Sequence, residues 1–382
     1  MPGFELIGKE EQQAVNEIFT SGSLFYNGKR VKQFEEMFAQ YLGMKYAVAV
    51  SSGTAALKTA LIAAGIGKGD EVITQAFTFI ATVEAILDVG AKPIIVNIDE
   101  TYNMDTIELE KAITPSTKAI IPVDMLGVAT EVDRINAIAK EHNLVIIDDC
   151  CESLGAEWGN KKLGTDYDMA VFSFDNGKTI TTGEGGMIAT NNLDWYKLCI
   201  EYRDHGHENN PKKPRGRDTH RIPGFNFRTT ELNAAIGIQQ LKKLDYIVES
   251  NRRNYKILKN EISDINGLKF RKIPSKCTPL CDTLIFNFPT KNVATEFVAL
   301  IKQNGLNTKN VPDAIEWHFA PYWDHIFDKF DFQNGDIWDS TKFSSDMLDR
   351  SVAIPIMVKM QNDIILETGS IIRSMAEKVL NN

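Results

Sequence analysis

From residue 45 onward the chain alternates between two rhythms. Short runs that are apolar almost throughout are followed by longer stretches in which apolar residues return at helical spacing. YAVAVSS leads into GTAALKTALIAAGI, DEVITQA into TFIATVEAILDVG, KPIIVNI into DTIELEKAI, and TKAIIPV into EVDRINAIAKEHN; LVIID follows. MAVFSF and MIAT add two more runs, with GEGG as a turn between them. An apolar run with no polar face reads as a strand buried on both sides, and strand–helix alternation joins such strands in parallel. The pattern predicts an α/β fold over residues 45–190, a mainly parallel seven-stranded sheet sandwiched by helices. Ligands of such sheets sit beyond the carboxyl ends of the strands. Here that means the loops after Val50, Ala76, Asp149 and Phe174.

A second pattern follows. Residues 230–259 read as one long helix with Leu232, Ile236, Leu241, Leu244 and Ile247 on a stripe. Beyond it GLKFRKIP, DTLIFNFP and VATEFVALIKQNG suggest a small α+β unit. The division expected is 1–250 for a large domain and 251–382 for a small C-terminal one, since a chain of 382 residues exceeds one small core. The segment Arg203–Arg221 breaks both rhythms. It holds six Lys/Arg, three Asp/Glu and three histidines without periodicity, as a functional or solvated loop would.

Composition narrows the classes. A net charge of −9 argues against nucleic acid as the main partner. No apolar run is long enough to span a bilayer, and MPGFELIGKEEQQ lacks the basic and apolar regions of a secretory signal. The five cysteines include the adjacent Cys150 and Cys151 and a lone C-x3-C, Cys277 and Cys281, with no second pair at zinc spacing. Reduced thiols in a cytoplasmic protein, and no metal, are expected.

Four strand ends carry candidate chemistry. After Val50, Ser51, Ser52 and Gly53 open a helix near Thr54; its unpaired N–H groups suit a phosphate, though an ordinary N-cap reads the same way. After Ala76, Phe77 reads as core, and a ring here such as Phe79 also suits stacking on a flat cofactor. LVIIDDCCESLGA ends in Asp148 and Asp149, either a helix cap or a partner for a buried cation such as a pyridinium nitrogen. At 4 Å and an effective dielectric near 20 that attraction is about 4 kcal/mol before desolvation. Beyond Phe174 in FSFDNGKTITTGEGG lies Lys178, with Ser173 just before. A lysine amine forms imines once neutral, so its ordinary pKa of about 10.4 must fall, as burial beside other cations would make it. A lysine imine, an acid for a ring nitrogen, a stacking face and a phosphate cradle are together what pyridoxal 5′-phosphate requires.

The same segments identify a resemblance. GKRVKQFEEMFAQYLG, SSGTAAL, FTFIAT, IIDDCCESLGA, SFDNGKTITTGEGG and GFNFRTTELNAAIG are similar to the DegT/DnrJ/EryC1/StrS family of pyridoxal-phosphate-dependent sugar aminotransferases. The resemblance implies the aspartate-aminotransferase-like fold, fold type I, and a Schiff-base lysine at Lys178. It puts the ring-nitrogen acid at Asp149, phosphate contacts at Gly53, Thr54 and Ser173, and the stacking ring at Phe79. Asn226 of GFNFR matches the residue that reaches the phosphate from the other subunit, which implies a homodimer with a shared active site. Three residues past the acid the family commonly has glutamine or histidine; here Glu152 stands, and its charge would repel the cofactor's phenolic oxygen unless protonated. Family dehydratases have histidine in place of the lysine, so Lys178 favours transamination.

GFELIGKEE, EYRDHGHENNP and WHFAPYWDHIF are most similar to family members that aminate the C8 aldehyde of a Kdo-type sugar acid. Their product is 8-amino-3,8-dideoxy-manno-octulosonate, made for lipopolysaccharide with glutamate as donor. An aminotransferase acting on a nucleotide-linked C3 or C4 keto-hexose shares every cofactor residue. A non-catalytic regulatory protein on the same fold is the alternative of another class. For the sugar's anionic group the candidates are His205, His207 and Arg217 in the +3 segment, and His318, which also reads as a packed core histidine. A dehydrogenase is disfavoured because no G-x-G-x-x-G follows the first strand.

Overall fold

The computed structural model describes residues 2–21, 28–327 and 337–381. Its central sheet has seven strands in the order Tyr46–Val50, Gly186–Thr190, Met169–Ser173, Val145–Asp149, Thr117–Ile121, Glu71–Gln75 and Lys92–Val96. The last five pair in parallel, while Gly186–Thr190 runs antiparallel to both neighbours. The exception follows from the connection. Residues 174–185 contain no helix to carry the chain back across the sheet, so the next strand returns in the opposite direction.

Alternate strand residues feed two cores, as the period of two requires. Ala47, Ala49, Ala170 and Phe172 point to one face, where Lys29–Leu42 and the first half of Glu231–Ile262 pack. Val48, Val50, Met169 and Val171 point to the other, beneath Gly53–Ala63 and Leu193–Tyr202. On the first face the Phe38 ring lies edge-on to Phe172 and Phe174, with centroids 5.0 and 5.6 Å away. Each fully buried ring of this kind contributes about 1.5–3 kcal/mol. The cluster therefore fixes the end of the strand from which the Lys178 loop departs.

Thr230 caps the long helix Glu231–Ile262, its hydroxyl accepting the Asn233 N–H at 3.2 Å. Leu241, Leu244 and Ile247 are buried as the stripe predicts, but Leu232 and Ile236 are only half-buried. There the helix comes close to its neighbour through Gly237, where a Cβ would lie 2.6 Å from the Phe34 ring. The far end supplies Leu258 and Ile262 to a separate core. That core is shared with the antiparallel strands Lys269–Phe270, Thr283–Asn287 and Ser351–Pro355 and the helices Lys291–Gln303 and Asn362–Leu380. No helix among the described residues is long and apolar enough to cross a membrane.

Candidate active site

A cavity of about 690 Å³ opens at the carboxyl ends of the parallel strands. Gly53, Thr54, Phe79, Asp149, Glu152, Ser173, Lys178 and His318 all line it. Residues more than 250 positions apart thus meet because each strand–helix junction opens on one sheet edge, and because the segment Thr308–His318 folds over that edge from the other side.

The helix cap comes first. Ser52, not Thr54, is the N-cap of Gly53–Ala63, and its hydroxyl accepts the Ala55 N–H at 3.1 Å. Thr54 stays exposed at the helix mouth. A Cβ on Gly53 would lie 2.9 Å from the Ser173 Cβ and 3.2 Å from the Cys151 sulfur. One on Gly186 would lie 2.2 Å from the Ser52 carbonyl oxygen. Two glycines therefore let three chain segments converge on one helix N-terminus, where backbone N–H groups and the Ser173 hydroxyl can meet an anion.

Asp149 ends its strand with its carboxylate buried in the cavity wall. The Thr82 hydroxyl donates to one oxygen at 2.8 Å and the Cys151 N–H to the other at 3.2 Å. Burial nevertheless holds this carboxyl above its ordinary range, because those bonds and the Lys178 charge only partly compensate. A buried acid short of positive charge suits a cationic ring nitrogen. Its neighbour Asp148 points to the opposite face, where Cys150 donates to it at 3.2 Å and burial raises it strongly.

Lys178 hangs in the loop after the strand Met169–Ser173. That loop turns on Asp175, whose backbone N–H donates to Ser173 Oγ at 3.3 Å and whose carboxylate accepts the Gly177 N–H at 3.0 Å. The lysine's surroundings differ from those expected. Burial pushes its amine down, but Glu152, Cys151, Asp149 and Asp175 outweigh burial, so the net displacement is upward. The amine lies 3.5 Å from Glu152 Oε1. The lowering cations sought in the sequence do not surround it; carboxylates do.

Glu152 is the counterpart. Burial raises it, yet Lys178, Lys309 and His318 together with the Leu126 N–H bring it down to about 2. That N–H donates to Oε2 at 3.2 Å, and Asn310 Nδ2 to Oε1 at 3.4 Å. His318 is buried, bonds the Ala314 carbonyl through Nδ1 at 2.7 Å, and is pushed below its ordinary value by burial first. Its ring stands 5.4 Å from that of Phe79. Phe79 is half exposed over the cavity, whereas Phe77 is core, as expected.

The other four candidates do not line this cavity. His205 is exposed at φ 55°. His207 packs on the His220 ring at 4.5 Å and faces Asp218 at 3.7 Å. Arg217 is exposed in a short 3₁₀ turn, and Asn226 is exposed beside Asp204. Their segment is ordered rather than loose. Arg203 is buried against Glu35, and Asp204 accepts from Arg215 and Arg228, each at 2.6 Å. A Ser51–Phe227 backbone bond of 2.9 Å ties its end to the sheet's edge strand. Sequence reasoning missed Thr82, Thr308, Lys309 and Asn310, all of which border the cavity.

The residues fit pyridoxal phosphate: a cradle that a Cβ would fill, a buried acid lacking a cation, and an amine in the same cavity. The comparisons with known proteins agree. Residues 5–373 match the model of the DegT/DnrJ/EryC1/StrS aminotransferase family. The chain is 40% identical over 261 residues to the GDP-perosamine synthase of Escherichia coli O157:H7, covering 68% of this chain and 70% of that one. It superposes on the aminotransferase of Psychrobacter cryohalolentis with a TM-score of 0.89, at 26% identity and over 98% of each chain. It superposes on E. coli GDP-4-keto-6-deoxy-D-mannose-3-dehydratase, solved with bound hydrated pyridoxal phosphate, with a TM-score of 0.84, at 27% identity and over 96% of this chain and 97% of that one. The chain therefore belongs to the DegT/DnrJ/EryC1/StrS family of sugar aminotransferases, and pyridoxal 5′-phosphate is its cofactor.

Proposed function

We propose that the enzyme moves an amino group from glutamate to the C8 aldehyde of a Kdo-type sugar acid, giving 8-amino-3,8-dideoxy-manno-octulosonate for lipopolysaccharide. The observation that carries the transaminase part is the Lys178 amine and the Asp149 carboxylate opening onto one cavity. The acceptor is supported by the resemblance of three stretches, one of which, WHFAPYWDHIF, contributes His318 to the cavity wall. A nucleotide-linked keto-hexose is the second reading, favoured by the similarity to a GDP-perosamine synthase.

When bound, the cofactor supplies a ring that takes up the electron pair left when a proton leaves the carbon bearing nitrogen. Asp149 would hold the ring nitrogen protonated, and Thr82 and the Cys151 N–H keep that carboxylate oriented. The Gly53 turn and Ser173 would anchor the phosphate, and Phe79 would cover a ring face. Lys178 would hold the cofactor through its amine and, once that amine is free, would serve as the group that takes up and gives back the proton. Positioned proton transfer of this sort is worth about 10²- to 10⁴-fold. The flanking carboxylates, Glu152 above all, hold that proton on Lys178 between the two transfers.

In this reading residues 1–250 hold the cofactor and 251–382 supply the opposite wall. Asn226, exposed and outside its own chain's cavity, serves the partner of a homodimer. All five cysteines are free thiols, consistent with the reducing cytoplasm. Lys178→Ala should bind no cofactor covalently and show no turnover; substantial turnover would end the proposal. A transamination screen decides the acceptor: amination of an 8-oxo octulosonate without nucleotide supports the sugar acid, and strict dependence on a nucleotide diphospho-sugar refutes it.

A further inference from the structure

Among the described residues of one chain, Lys178 and Lys309 are the lysines that line the cavity, and none of its arginines does. The cofactor claims Lys178, which leaves Lys309 as the lining cation for the substrate. It projects from the segment Thr308–Asn310, which the backbone holds firmly. The Lys309 N–H donates to the Ala353 carbonyl at 2.8 Å, the Ala353 N–H to Val311 at 3.0 Å, and Ala314 closes back on Asn310 at 3.0 Å. Asn310 takes a left-handed conformation, φ 59°. Three successive polar residues thus border the cavity.

Their hydrogen bonding is incomplete. An ammonium has three donors, and among the described residues Lys309 spends one, on Asp282 Oδ2 at 2.6 Å. Asp282 is buried and also accepts from Thr283 at 3.0 Å, so it steadies the ammonium from behind. The Thr308 hydroxyl is buried beside the Asp313 carboxylate, which it helps to hold below its ordinary range. Asn310 Nδ2 reaches only to 3.4 Å, from the Glu152 carboxylate. That carboxylate rests against Lys178, so Asn310 shares its amide between Glu152 and the cavity.

We infer that Lys309, with Thr308 and Asn310, forms a subsite for a substrate carboxylate, making Lys309 a specificity-determining residue of the transamination reaction. The inference rests on the transaminase reading above. Two reactants carry this chemistry, the amino-acid donor and an acidic sugar, and the two half-reactions separate them. Lys309 offers a charged donor, and such bonds carry enough energy that losing one weakens binding about 10- to 100-fold.

The test uses the cofactor-loaded enzyme and the visible spectrum of the bound cofactor. Glutarate, a dicarboxylate without an amine, is titrated into wild type, Lys309→Arg and Lys309→Gln. The glutamate half-reaction and the sugar half-reaction are then followed separately. Because Lys309→Gln strands the buried Asp282 charge, a double variant, Lys309→Gln with Asp282→Asn, is carried as a second probe, and circular dichroism checks both. Loss of glutarate binding and a raised half-saturation for glutamate, recovered by Lys309→Arg, support the subsite with the donor as its ligand. A raised half-saturation in the sugar half-reaction alone supports it with the acidic sugar as its ligand. Constants within twofold of wild type in every arm overturn it. So does equal damage by Gln and Arg in folded, cofactor-loaded protein. If wild type holds the cofactor but gives no spectral change with glutamate or any sugar, the transaminase reading fails; the glutarate titration still judges the subsite.

Discussion

Replacing Glu152 by glutamine keeps the side chain's shape and removes one charge. In the folded protein this carboxyl is drawn from its ordinary 4.5 to about 2, because Lys178, Lys309 and His318 outweigh the cost of burying it. At roughly 1.4 kcal/mol per pH unit the drop of about 2.5 corresponds to about 3 kcal/mol favouring the ionised form. A depressed carboxyl stabilises the fold above its unfolded value and loses that contribution as pH falls through its folded value. Cofactor-free Glu152→Gln should therefore be less stable than wild type by at most about 3 kcal/mol at pH 7, where Lys178 and Lys309 keep their charge and His318, itself lowered, has lost its own. The deficit should shrink from about pH 4.5 downward and be nearly gone at pH 2. Urea denaturation of both proteins across this range, in the cofactor-free state where Lys178 is a free amine, measures it. A deficit below about 1 kcal/mol at pH 7, or one that does not change with pH, would show that Glu152 is not the ionised partner of these cations.

Three other outcomes are expected. Gly186→Ala forces a Cβ to 2.2 Å from the Ser52 carbonyl; a stability loss of about 1–3 kcal/mol with weakened cofactor binding is expected from thermal melts and spectral titration. Thr82→Val removes the hydroxyl donor to Asp149; a several-fold drop in turnover with the fold intact is expected, since an orphaned buried acceptor costs about 1–3 kcal/mol. Mixing inactive Lys178→Ala with an inactive Asn226→Ala should restore about one quarter of wild-type activity in re-equilibrated dimers, because half are mixed and one of their two sites is intact. No recovery would place Asn226 in its own chain's site.

Much of the architecture is legible in the sequence because it rests on local rules. Fully apolar strands and amphipathic helices specify the sheet, and strand carboxyl ends locate Asp149, Ser173 and Lys178. What escapes is set by distant packing. Lys309 sits between ordinary polar residues, and nothing local indicates that Asp282 pairs it or that its segment folds over the sheet edge 160 residues upstream. Thr82 reads as any helix-start threonine until the Asp149 carboxylate is placed beside it. The direction of Gly186–Thr190 depends on residues 174–185 lacking a helix, which the strand's own composition does not encode. The charge state at Lys178 differs from the sequence expectation for a similar reason: Glu152, Cys151 and Asp149 reach it from a neighbouring strand end, and burial alone would set the opposite sign.

Among the described residues, six carboxylates line the cavity against two lysines. Taken as isolated charges, this ring would repel both a cofactor phosphate and an acidic substrate. Its acids are mostly spent locally. Asp282 is paired with Lys309, Asp313 with Lys302 and Glu152 with Lys178. Asp175 closes its own turn through the Gly177 N–H. Glu184 is exposed to solvent, which leaves Asp149 as the buried acid without a firm cation, at the position where the ring nitrogen of the cofactor would supply one. The phosphate, for its part, would meet uncharged donors at the helix N-terminus and Ser173, which need no counter-charge from the wall. In the proposed reading the cofactor's cationic end would meet the unpaired acid and its anionic end the backbone dipoles. The net charge of the cavity is a poor guide to its ligand, and the pairing of each acid is the informative quantity.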